Sequence, residues 1–141
     1  MSTAAINYSA NTAITFDISS LGTSSTFVAG RECTEVDNTT TKYMDCLVNV
    51  GGITGHASTA PTVGQQIVLY CWGADTSLGT TAIDVLDGTD SAETLGHVSV
   101  LNSLRLAGAA VVTVATAGLV YYIQPFSVAS LFGGVMPKYW G

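Results

Sequence analysis

Charge is what this sequence has least of. Only 10% of its 141 residues are Asp, Glu, Lys or Arg, against about 25% in ordinary globular chains. Four basic residues stand against ten acidic ones, for a net charge of −6. Such a chain repels a phosphate backbone, which excludes nucleic acid as a partner. Cysteine is sparse too: Cys33, Cys46 and Cys71 form no CxxC and are odd in number. A secreted disulfide scaffold would leave one of them unpaired, so they read as reduced thiols of a protein folded in a reducing cytoplasm. The opening MSTAAINYSANTAITF has neither a basic stretch nor a continuous apolar run, so it reads as an extended arm over residues 1–11 and not as a signal peptide.

Catalytic signatures are equally thin. No GxSxG elbow, P-loop or GxGxxG occurs, and scattered carboxylates alone say little about glycoside chemistry. The expectation is a protein that is not an enzyme and carries no cofactor. Asp87, Asp90 and Glu93 are the one dense carboxylate cluster. Their spacing does not match a calcium loop, whereas Asp90 and Glu93 have the spacing of a helix capping box. Cys33, Cys46, Cys71, His56 and His97 each stand alone in sequence, unlike the paired ligands of structural zinc, so no metal is expected and the thiols read as core residues.

From Leu106 to Pro137 no charged residue occurs, long enough to span a bilayer. The segment is nevertheless built from Ala, Gly, Thr and Val, and a Thr-Ala-Gly turn at 116–118 separates AAVVTV from LVYYIQPF. A β-hairpin is the better reading, with no membrane partner.

What the sequence does have is apolar and uncharged polar surface: 48% hydrophobic residues, a mean hydropathy of +0.42, and Thr, Ser, Asn and Gly where a freely soluble chain carries Lys and Glu. A surface of this kind suits a subunit packed against partners, because charge is what keeps monomers apart. Strand signals recur, with turn residues between them. Ile14, Phe16 and Ile18 alternate with polar residues; so do Met44, Cys46, Val48 and Val50 in KYMDCLVNV; IVLYCW at 67–72 reads as a buried strand; a weaker run covers Ile83 to Leu86. Helix is confined to one or two short turns, at Asp90 and at SVASLFGG, 127–134. The expected fold is a single all-β domain over 1–141, an antiparallel, jelly-roll-like β-sandwich.

Three segments, AGRECTEVDNTTTKYMDCLV, DGTDSAET and FSVASLFGGVMPKYWG, resemble small structural proteins of tailed bacteriophages. In those proteins an Ala-Gly-Arg turn leads to a Val-Asp-Asn-Thr-Thr loop and strand, and a Phe-Gly-Gly-Val-Met-Pro-Lys-Trp-Gly-like motif follows a long hairpin. The segments cover about a third of the chain. The resemblance implies a virion component located in the particle after folding in the host cytoplasm: a capsid decoration or cement protein that binds the major capsid protein lattice as a homo-oligomer. A tail or accessory virion protein is the alternative, as is a carbohydrate-binding module that uses Trp72 and Trp140 for host attachment. The family pattern continues past Trp-Gly with further strands, so ending at Gly141 implies either a sheet edge that a partner covers or a sandwich that closes without the last strand. Val135, Met136, Pro137, Tyr139 and Trp140 are on that basis the expected interface residues.

Overall fold

The computed structural model describes residues 9–18 and 21–141. Most of the expected arm, residues 1–8, therefore lies outside the described residues; 9–11 are exposed and irregular. The chain is all-β, with several small antiparallel sheets and two short helices. Among the described residues no sheet closes into a barrel or a true sandwich.

The longest pairing joins β5, Gln66–Cys71, to β8, Arg105–Val111. Both are apolar runs that follow a turn or a break. Gly64, at φ +89°, supplies the left-handed residue that turns the chain into β5, and its N–H donates to the Val112 carbonyl at 2.9 Å. The register runs from Gln66↔Val111 to Leu69↔Gly108, then shifts so that Tyr70 faces Leu106. Ala107 is the extra residue of a bulge, which bends the ribbon. Gly108 is glycine because a Cβ there would collide with the Ile123 side chain.

The expected hairpin between AAVVTV and LVYYIQPF is not made. Val111 pairs with Gln66 in β5, while β9, Val120–Tyr121, pairs with β4, Ile53–Thr54. Gly118 does turn the chain at φ +72°, but its N–H donates to His56 and the eight residues between the strands leave each free to find another partner. The capping box at Asp90 and Glu93 is also overturned. Ser91–Thr94 forms strand β7, paired along its length with β1, Ala29–Glu32. The ladder outweighs the local cap, and Asp90 instead lies 3.5 Å from Arg31.

Other local signals hold. SVASLFGG makes helix α1, Val128–Leu131, whose N-cap Ser127 accepts from Ser130 N–H at 3.0 Å, and Gly133 and Gly134 end it with φ of +71° and +88°. Residues 98–103 make a 3-10 turn capped by His97. Two strand signals fail. The run from Ile83 to Leu86 closes on itself as a tight turn, and Ile14 to Ile18 forms no strand among the described residues.

The KYMDCLVNV strand shrinks to β3, Leu47–Val48, paired with β10, Phe126–Ser127. Cys46, Val48 and Val50 keep the half-buried side, but Met44 is 90% exposed. Asn38 is the reason. Its buried side chain accepts from Tyr43 N–H at 2.7 Å and donates to the Tyr43 carbonyl at 3.1 Å, which holds 38–43 as a loop and delays the strand.

The last sheet is β2, Val36–Asp37, β11, Tyr139–Trp140, and β6, Gly73–Ala74, with β11 in the middle. It lies between two small cores, one around Trp72, Leu78, Leu86 and Leu95, the other around Cys71, Val128 and Trp140.

Candidate docking surface

The C-terminal residues singled out from sequence do not form an uncovered edge. The β11 strand has a neighbour on each side, and Trp140 is 4% exposed in the core. Tyr139 packs against the Trp72 core and Met136 against the Trp140 core. Val135 alone points largely to solvent, at 69% exposure. The physical cause is the pairing of Tyr139 with both Asp37 and Ala74, two partners more than sixty residues away that no local pattern announces.

Around Val135 the structure assembles a groove that the sequence reading missed. It has a volume of about 720 Å³ and lies between the loop of Lys42, Tyr43 and Met44 and the segment from Gly134 to Tyr139. A shallower depression of about 290 Å³ against Gly73 and Phe132 shares Asp75, Val135 and Pro137 with it. Asn38 builds the first wall, since its side chain reaches Tyr43 and also Pro137, at 3.4 Å, and its N–H donates to the Lys138 carbonyl at 2.8 Å. Lys42 sits in that wall at φ +55°, a left-handed position uncommon for a side chain of its size. Gly73 permits the far end, because a Cβ there would lie 2.5 Å from the Pro137 ring and 2.8 Å from Phe132. The groove is apolar at its lip, through Met44 and Val135, and holds two of the four basic residues of the chain. Lys138 lies 3.9 Å from Asp75 with both side chains mostly exposed, a contact that contributes little in water. The signal that marked this wall in the sequence was the polar stretch VDNTTTK, whose Asp37 bonds Thr39 N–H at 2.7 Å as a turn.

The remaining candidates lie elsewhere. Trp72 and Trp140 are each 4% exposed, so neither presents a face on which a sugar could stack. Burial pushes the Cys71 thiol up to about 12 and the Cys33 thiol to about 11, and raises Cys46 in the same way; these are poor nucleophiles. Among the described residues no group of three or more His, Cys, Asp or Glu is placed to hold a metal ion. Glu32 and Glu35 organise the turn near Gly88: Glu32 accepts from the N–H groups of Asp87 and Gly88, both at 3.0 Å, and Glu35 from that of Leu78 at 2.8 Å. No described helix is long and apolar enough to cross a membrane; Leu106 to Pro137 is occupied by short strands, loops and α1.

Large apolar side chains stand exposed among the described residues: Tyr122 and Leu47 are each 72% exposed, Leu106 60%. Compared with known proteins, the chain matches no family model, no curated protein and no solved structure.

Proposed function

We propose that this chain is a non-enzymatic structural protein of a tailed-phage virion, one that binds the assembled head lattice and stabilises it as a decoration or cement protein. The observation that carries the reading is the pairing of exposed, largely uncharged apolar surface with small cores. Among the described residues eleven hydrophobic residues are buried, while Met44, Leu47, Tyr122 and Val135 stand in solvent, an arrangement that suits a subunit whose remaining burial comes from neighbours. The resemblance of three segments to tailed-phage structural proteins supports the major capsid protein as the partner, contacted in many copies so that weak contacts sum to firm retention. In the assembled state, two-stranded ribbons such as β5–β8 are extended toward a jelly-roll-like sandwich by strands of neighbouring subunits.

Purified particles stripped of the protein should melt at lower temperature and recover when it is added back. Particle stability indifferent to its presence removes the cementing role. Copy number in the particle separates head from tail: hundreds of copies tracking the capsid protein place it on the head, and a handful place it at a tail or vertex.

A further inference from the structure

The groove beside Val135 has a chemically complementary neighbour on the same molecule. The turn from Ile83 to Leu86 puts Asp84 and Val85 at its tip, with Asp87 just beyond; all three are exposed, and Asp84 has φ +58°. Val85 is 37% exposed between two carboxylates, of which Asp84 also accepts from Gly96 N–H at 2.6 Å. The groove sets two lysines, Lys42 and Lys138, against one carboxylate, Asp75, so it keeps a positive charge that the acidic turn complements.

The two features are close together. Glu35 N–H donates to the Gly88 carbonyl at 2.9 Å, and Asn38 N–H to the Lys138 carbonyl at 2.8 Å. The turn and the groove are thus joined by the short stretch from Glu35 to Asn38, about 10 Å at strand spacing. Ile83 and Tyr139 also pack on the same core around Trp72. A knob and a groove this near each other on one chain permit an isologous contact, in which each surface of one copy meets the other surface of its mate.

We propose that two copies of this chain associate about a two-fold axis, each seating its Asp84–Asp87 turn in the groove of the other. Val85 enters between Met44 and Val135, and Asp84 and Asp87 face Lys42 and Lys138. The contact goes beyond lattice binding and does not depend on it.

The test is sedimentation velocity on the full chain at low and high salt, with Lys138→Glu, Asp87→Lys and the double variant. The wild type should dimerise with rising concentration and more weakly at high salt. Each single reversal should weaken dimerisation by about tenfold or more, and the double variant, which restores opposite charges across the axis, should recover it. A wild type that stays monomeric, single reversals that dimerise as the wild type does, or a double variant no better than the singles would each overturn the proposal. Should Lys138→Glu fail to fold, Lys138→Gln with the salt series carries the same test: unchanged dimerisation counts against the contact. A monomeric protein that still binds particles overturns this contact and leaves lattice binding standing.

Discussion

Trp72 and Gly141 close on each other through two backbone hydrogen bonds, Trp72 N–H to the Gly141 carbonyl at 2.9 Å and Gly141 N–H to the Trp72 carbonyl at 3.3 Å. A Cβ on Gly141 would stand 2.9 Å from the indole of Trp72, so the glycine lies flat against the ring. The C-terminal residues are thereby part of the monomer's own core. Removing residues after Gly134 deletes the middle strand of a three-stranded sheet and should unfold the chain.

Trp140→Ala should destabilise the monomer by about 3–5 kcal/mol, as expected for a large buried aromatic. Trp140→Phe should cost clearly less, because the indole N–H has no hydrogen-bond partner among the described residues and only part of the ring volume is lost. Thermal or urea unfolding of the two variants gives the comparison. A Trp140→Ala protein with an unchanged midpoint would show that the ring is not core.

Met44 and Val135 call for the opposite outcome. At 90% and 69% exposure, neither contributes much to the monomer, so Met44→Ser and Val135→Ser should shift stability by no more than about 0.5 kcal/mol. Under the proposed function they should nevertheless weaken association. Melting temperature and particle retention, measured on the same preparations, separate the two effects.

The parts of the fold that were legible in the sequence are those decided within a few residues. IVLYCW is a strand because a β-branched and aromatic run follows a turn, and Ser127 and Gly133 bracket α1 because caps are local. Pairing partners were not legible. Val111 meets Gln66 and not Tyr121, and Glu93 sits in a ladder with Gly30, because strand propensity says that a segment will pair without saying with what. The groove escaped notice for the same reason. Its two walls, at Asn38 and Pro137, are 99 residues apart, and the side chain that joins them is an ordinary asparagine in a polar loop.

The thiols should be slow to react in the folded protein. With Cys71 pushed up to about 12 and Cys33 to about 11 by burial, almost no thiolate exists at pH 8, and access is restricted as well. Labelling by an alkylating reagent should be slow in native buffer and complete in denaturant. Rapid native labelling of Cys71 would mean that the core around Val128 opens readily.

Glu32 should contribute stability that grows toward acid pH. Its carboxyl is raised above the ordinary value of 4.5, chiefly by burial and further by the nearby charges of Asp87 and Glu93, against the lowering effect of the two N–H donors at Asp87 and Gly88. A carboxyl whose folded pKa exceeds its unfolded one binds protons more tightly in the folded state, so stability gains as pH falls. The gain begins as pH drops through the raised folded value and levels off below about 4.5, where the unfolded group is protonated as well. Glu32→Gln removes this titration and keeps the side chain's shape. The difference in melting temperature between wild type and Glu32→Gln, followed from pH 7 to pH 4, should therefore move in favour of the wild type as pH falls. A constant difference would show that Glu32 titrates alike in both states, and a shift toward the variant would mean that the bonds to Asp87 and Gly88 outweigh burial.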